Sequence, residues 1–360
     1  MGACTSFFLS QKATAHQLRV TVIERTGVAC AASGKAGGFL ARDWSDAELG
    51  NLSAASFDLH TKLAKELDGV NNYGYRRVNS YSVSFGKTKH SKPSDLHWLD
   101  QDNVKSVSVL GTPDTTAQVH PREFTQLLFD KAVETGHVQI IYHAVTRLSY
   151  DKEDKKKVTG VVLDNGETLT ADAVVLCMGP WSGKLELSDS GIPSQKLPVS
   201  GTRAHSVVVT PDCELPDHVV FTSIEDEGYT TPEVYLRPDG TAYICLANDN
   251  EPLPESADKV QTDANALKNL ERLATKISSH LSNRPVVAEQ ACYLPISKDG
   301  LPLIGTHPHH TQLFLATGHS CWGILNGPVT GLMMSELLTD KKISCVDEHT
   351  VTAMDPKHRL

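Results

Sequence analysis

The order of the first two elements constrains this chain more than any other feature. MGACTSFFLSQ (Met1–Gln11) reads as the opening turns of an amphipathic helix, and QLRVTVIER (Gln17–Arg25) as a short apolar strand closing on an acid. A helix that delivers the chain into such a strand is the second half of a βαβ crossover, which places the strand in a parallel sheet. Gly2 then falls where the third glycine of a G-x-G-x-x-G dinucleotide fingerprint lets helix and strand pack closely. Glu24 lies 22 residues on (24 − 2), where an acid accepts hydrogen bonds from ribose hydroxyls. Half a fingerprint leaves a second reading open, that Glu24 is an ordinary surface acid. The strand and two glycines that would complete the unit have no counterpart ahead of Met1. The expectation is therefore a shortened form, begun at an internal methionine, that binds its cofactor poorly or not at all.

The chain has 360 residues, enough to bury one large core or two connected ones, and 40% of them are hydrophobic. A formal net charge of −9 argues against nucleic acid or an anionic membrane as the main partner. No apolar run approaches the roughly 18 residues of a membrane span, and a cytoplasmic location is expected, with organelle targeting left open by the shortened start. The eight cysteines are scattered with no CxxC pair, which suggests that most are reduced core thiols rather than a zinc ribbon or a disulfide framework. HPHH (His307–His310) lacks cysteines or carboxylates at ligand spacing and reads as a solvated loop, so no metal site is expected.

Ser45–Leu67 carries Leu52, Ala55, Leu59 and Leu63 on one helical face, with Gly69 past its end. His120–Gly136 reads as a second helix, with Pro121 in its first turn and Gly136 at its C-cap. VQIIYH, VTRLSY and VTGVVL read as a meander. The turn Asp164–Asn165–Gly166 leads toward ADAVVLCMG (Ala171–Gly179), whose Val174–Leu176 run suits a parallel strand buried on both faces. Helix–strand material at both chain ends, around β-rich material at Ser200–Asn248, suggests two interleaved domains.

Three further stretches carry chemistry. ACAASGKAGGFLARDW (Ala29–Trp44) is so rich in glycine and alanine that its backbone either approaches something flat and bulky or forms a flexible turn. ADAVVLCMGPWSG (Ala171–Gly183) ends a buried strand on a glycine and an aromatic, at the sheet edge where α/β ligands bind. DGLPLIG (Asp299–Gly305) precedes ATGHSCWGILNGP (Ala316–Pro328), a glycine turn entering a helix whose first amides favour negative charge. A reduced flavin places such charge on its N1/O2 edge.

Together and in this order, ASGKAGG, VVLCMGPWSG and the pairing of DGLPLIG with GHSCWGI resemble the D-amino-acid-oxidase-like FAD-dependent oxidoreductases over nearly the whole chain. That superfamily includes glycine oxidase, sarcosine oxidase and the fructosyl-amino-acid oxidases. The resemblance implies an α/β fold: a discontinuous FAD-binding Rossmann-like domain (1–68, 117–196 and 286–345) and a mixed-β-sheet substrate domain (69–116 and 197–285), with a C-terminal tail (346–360). It implies two-electron oxidation of a C–N bond in a small amine or amino-acid-like substrate, with hydride passing to flavin N5 and then to O2 or another acceptor. FAD would be held by Gly2, Glu24 and Arg25, by Ser33, Gly34, Lys35, Ala36, Gly37 and Gly38, by Val145, Gly179 and Trp181, and by Gly318, His319, Trp322, Gly323 and Ile324. Lys35, Arg203, Arg237 and Trp322 are the residues expected at the reaction itself. No general base is required, because the amine enters neutral.

The chain also departs from its resemblance. Where glycine and D-amino-acid oxidases place carboxylate-binding arginines, matching the motifs gives Leu294 and Cys321. Arg203 in GTRAHS and Arg237 in YLRPDG are the replacements to consider, each with a purely structural role as its alternative. Cys292 lies seven residues before Asp299 (299 − 292), the spacing at which sarcosine and fructosyl-amino-acid oxidases attach their flavin; a spectator thiol is the other reading. The lost arginines also leave room for a flavoprotein-fold interaction or trafficking protein with little turnover. An NAD-dependent dehydrogenase fits the late glycine turn poorly.

Overall fold

A computed structural model describes residues 1–86, 95–187, 196–225 and 228–360. Its largest element is a seven-stranded mixed sheet in the order Val286–Ser297, Val199–Val209, Ala242–Asp249, Glu233–Leu236, His218–Ile224, Asn79–Phe85 and Val104–Gly111. Its neighbours are antiparallel except His218–Ile224 with Asn79–Phe85, which run parallel. Strand alternation sorts the side chains. Val207, Val209, Val220, Val234, Leu236 and Ile244 are buried on one face against Leu267, Leu270, Leu273 and Ile277 of the helix Ala264–Ile277. The intervening Val208, Val219, Tyr235 and Tyr243 turn to the opposite face, beside Phe39 and Val78. One side of the sheet is thus closed by a helix, and the other is left for a site.

The parallel strands form two smaller pieces. Val20–Glu24 pairs with Val138–Tyr142, and Val174–Leu176 pairs with Leu313–Thr317, which also takes Leu303–Thr306 antiparallel. Among the described residues, Val20–Glu24 and Val174–Leu176 each have one unpaired edge, and both line the large cavity. Only Leu176 of the Val174–Leu176 run is fully buried, so this strand is half-open rather than covered on both faces. The meander also needs correction: Val138–Tyr142 belongs to the parallel pair, while Val145–Tyr150, Val158–Leu163 and Thr168–Thr170 make a separate antiparallel sheet.

The opening helix spans Gly2–His16 and is buried continuously from Cys4 to Ser10, so it is an interior helix rather than an amphipathic one. It packs on Gly323–Thr339, where a Cβ on Gly331 would stand 2.5 Å from the Cys4 carbonyl carbon. Pro328 lies inside that second helix and cannot donate to the Ile324 carbonyl. His60, from the helix Gly50–Glu66, supplies the missing donor: its Nε2–H lies 3.0 Å from Ile324 O and 3.2 Å from Leu325 O. Ser56 adds a hydroxyl at 2.6 Å from Leu325 O and accepts from the Val329 amide. These bonds fix the first turn of Gly323–Thr339, which opens onto the cavity. The helix Pro121–Glu134 forms as expected behind its His120 cap.

One expectation about side chains fails. His307 and His310 are buried, not solvated, because the Leu303–Thr306 and Leu313–Thr317 hairpin folds their loop inward and His307 Nδ1 accepts from the amides of His309 and His310. Most of the cysteines are buried or half-buried, while Cys213 and Cys321 are exposed. Among the described residues, no helix is long and apolar enough to cross a membrane.

Candidate active site

A cavity of about 2200 Å³ runs between the parallel strands and the open face of the seven-stranded sheet. Its wall at one end is made by Val20–Glu24, by the first residues of Gly2–His16 and by the turn after Val174–Leu176. Helix Gly2–His16 has no side chain capping its first amides, which therefore remain available to a negative group. Glu24 lines this end with Oε1 accepting from Thr26 N at 3.0 Å and Thr26 Oγ1 at 3.2 Å, so the carboxylate is oriented while Oε2 has no bonded partner among the described residues. Gly179 adopts φ 53°, and a Cβ there would enter open space. Trp181 follows it, with its indole N–H 2.8 Å from Pro254 O, and Arg25 reaches Glu255 Oε1 at 2.5 Å. The segment around Pro254–Glu255 is thereby tied across this end.

The middle of the cavity is closed by glycine turns. Gly318 has φ 82°, a conformation that favours glycine, and His319 beyond it is buried with Nε2 3.0 Å from Thr330 Oγ1. Burial pushes the His319 imidazole down to about 3, so it is neutral at pH 7. On the other side a Cβ on Gly37 would come within 2.8 Å of the Tyr235 ring, which is why that position has no side chain.

The far end is the sheet face, where Phe221, Glu233, Tyr235, Tyr243, Cys245 and Cys292 all reach the cavity. Glu233 accepts from the Tyr235 hydroxyl and from Cys245 Sγ at 3.6 Å, and burial holds its carboxyl above the usual range. Cys292 is buried and its thiol is pushed up to about 11 by burial, opposed by the charge of Lys35.

Of the residues expected to hold the cofactor, Gly2, Glu24, Arg25, Ser33, Ala36, Gly37, Gly38, Val145, Gly179, Trp181, Cys292, Gly318, His319, Trp322, Gly323 and Ile324 line this one cavity. Gly34 and Lys35 do not. Gly34 is close-packed instead, since a Cβ there would stand 1.9 Å from Ala29 O, and Lys35 donates to Ala291 O at 3.0 Å. Arg203 and Arg237 also lie off the cavity wall. Arg203 makes a forked pair with Asp249 at 3.0 and 2.9 Å, and Arg237 stacks 4.8 Å over the Tyr243 ring. Sequence reasoning passed over Glu233 and Tyr235. The signal was present in TTPEVYLRP: alternation puts Glu233 and Tyr235 on one face and core residues Val234 and Leu236 on the other. Among the described residues one group brings three ligand atoms together, Asp212, Cys213 and His280; it is away from the cavity wall, and Arg284 pairs with Asp212 at 2.5 Å.

A long cavity with an acid at a strand end, uncapped helix amides and two left-handed glycine turns, floored by a second sheet, has the shape and chemistry that suit a dinucleotide laid lengthwise. The family model described as "FAD dependent oxidoreductase" (DAO) matches residues 1–337, and the chain belongs to that family of enzymes. It is 30% identical over 380 residues to a Schizosaccharomyces pombe protein named provisionally as an oxidoreductase, covering 100% of this chain and 96% of that one. It is 30% identical over 185 residues to glycine oxidase of Geobacillus kaustophilus, covering 51% of this chain and 45% of that one. The crystal structure of glycine oxidase from Geobacillus kaustophilus superposes with a TM-score of 0.79 at 20% identity, covering 100% of this chain and 96% of that one. L-Proline dehydrogenase from P. horikoshii superposes with a TM-score of 0.76 at 18% identity, covering 99% and 94%. These structures share the mixed α/β fold.

Proposed function

We propose that this chain oxidises a C–N bond in a small amine or amino-acid-like substrate, using FAD held along the cavity. The observation that carries the reading is the convergence of Glu24, Gly179, Gly318 and the first turn of Gly323–Thr339 on one cavity that ends against an ordered polar floor. Glu24 would hold the ribose hydroxyls, the amides of Gly2–His16 the pyrophosphate, and the Gly318–Ile324 turn the flavin edge that becomes negative on reduction. FAD supplies a two-electron acceptor there. The protein's own residues do the rest: they orient the substrate and exclude water. His319, neutral and bonded to Thr330, adds no charge at the turn. Trp322 lines the wall beside it. Relatives named glycine oxidase support the substrate class, and O2 is the simplest acceptor. The organised floor favours turnover over a purely interacting role.

Attachment of flavin through Cys292 is disfavoured by its environment, because a thiol raised to about 11 presents little thiolate. The test is anaerobic addition of a panel of primary and secondary amines and amino acids to FAD-loaded protein, followed at the visible flavin band. Bleaching by at least one compound is expected; an oxidised spectrum with every compound would exclude the reading. Acid precipitation of the same sample should leave the yellow colour in solution.

A further inference from the structure

Strand register fixes what the cavity floor presents. Phe221 lies opposite Glu233, and Glu233 opposite Cys245, so the three share a face. Two residues along, Tyr235 lies opposite Tyr243. The rings join into a wall: Trp44 is 5.1 Å and Phe39 5.2 Å from Phe221 between centroids, and Phe221 is 6.0 Å from Tyr235. A single carboxylate stands in this wall. Tyr235 and Cys245 both donate to Glu233 Oε2, and among the described residues no donor is bonded to Oε1 and no lysine or arginine pairs with it.

The cations nearby are committed. Arg203 is forked onto Asp249, Arg237 lies on Tyr243 and donates to Ala36 O at 3.3 Å, and Lys35 donates to Ala291 O. Leu294 and Cys321 line the cavity and offer no positive charge to a substrate carboxylate. A desolvated carboxylate among aromatic faces attracts a cation twice, by ion pairing and through the ring quadrupoles.

We infer that Glu233, oriented by Tyr235 and flanked by Phe221, Phe39 and Trp44, binds an ammonium group, and that the substrate is an amine carrying a second, cationic nitrogen and no carboxylate. The inference rests on the amine oxidation proposed above and names its substrate class. The nitrogen held by Glu233 is not the one oxidised. The reacting nitrogen is neutral: its carbon loses a hydride and it loses a proton as the C=N bond forms, with FAD as the two-electron acceptor. The distal ammonium keeps its proton throughout. An amino acid would instead bring its carboxylate toward Glu233, and like charges in a desolvated cavity repel strongly.

The test compares putrescine, butylamine and γ-aminobutyrate, which share a four-carbon chain and differ at the distal end. Their binding is measured by anaerobic calorimetry on FAD-loaded protein reduced beforehand with dithionite, so that no turnover contributes. Putrescine is expected to bind about 10- to 100-fold more tightly than butylamine, with γ-aminobutyrate weakest. Glu233→Gln should bring putrescine down to the level of butylamine, and a cooperative thermal melt of the variant reports that it is folded. Tyr235→Phe should lose a smaller part of the preference. Equal affinities, tighter γ-aminobutyrate, or a preference that survives Glu233→Gln would overturn the inference. A putrescine preference lost in Glu233→Gln, with no amine bleaching oxidised flavin in a separate experiment, would support the ammonium site and remove the oxidation.

Discussion

The two ends of the cavity are built from different materials. From the Glu24 end to the middle a ligand meets backbone: uncapped amides of Gly2–His16, the left-handed Gly179 and the turn from Gly318 into Gly323–Thr339. At the Glu233 end it meets side chains, set in rows by the register of three consecutive strands between His218 and Asp249. The backbone end suits an invariant group such as a phosphate or a flavin edge, because amides cannot be exchanged by substitution. The side-chain end can be retuned one residue at a time, and here it carries a carboxylate and aromatic rings. On the function proposed above, the difference assigns specificity to the sheet and cofactor binding to the helices.

Breaking the backbone end should have the largest effect. Gly331→Leu would place its Cβ 2.5 Å from the Cys4 carbonyl carbon and force the two helices apart. A loss of about 3 kcal/mol in urea denaturation is expected, at the upper part of the overpacking range, together with loss of FAD binding. No such coupling is expected from Glu233→Gln.

A pH titration probes the support of the same end. Burial holds His60 down to about 4, below the usual 6.5, while its bonds to Ile324 O and Leu325 O oppose that shift only partly. The unfolded chain therefore binds a proton that the folded one refuses between pH 6.5 and about 4. The contribution is fully present above the unfolded value and is lost as pH falls through that window, by about 2–3 kcal/mol at its acid end. Denaturation midpoints of His60→Gln should show a shallower decline over this window than those of the parent.

Smaller effects sharpen the contrast. Gly179→Ala meets no atom, yet its φ of 53° should make the change cost about 1 kcal/mol, and the added methyl enters the cavity. FAD affinity should fall while putrescine selectivity stays. Arg25→Ala removes a pair with Glu255 whose side chains are 41% and 76% exposed. Stability should change by less than about 1 kcal/mol, measured by thermal melting.

The same contrast explains what could be read from the sequence. Glycine turns are local: ASGKAGG, CMGPWSG and GHSCWGI each announce their backbone within a few residues, and most of their members do meet in one cavity. The exceptions show the limit. Gly34 looks like its neighbours in sequence, but its missing side chain serves the Ala29 carbonyl. Arg203 and Arg237 were the natural choices for a substrate contact, and only the fold reveals Asp249 and Tyr243 as their partners. The Phe221–Glu233–Cys245 row exists through register between strands, which no single stretch encodes. His307 and His310 looked solvated because polarity was visible, whereas the hairpin that buries them depends on Leu313–Thr317 pairing with Leu303–Thr306.

The most direct measurement is FAD titration, by flavin fluorescence, of the parent protein, Glu24→Ala and Glu233→Gln. If the two ends divide the work as described, Glu24→Ala weakens FAD binding by about tenfold or more, as expected for loss of a charged hydrogen-bond acceptor, and Glu233→Gln leaves it unchanged. FAD affinity that ignores Glu24 but falls with Glu233 would contradict the account.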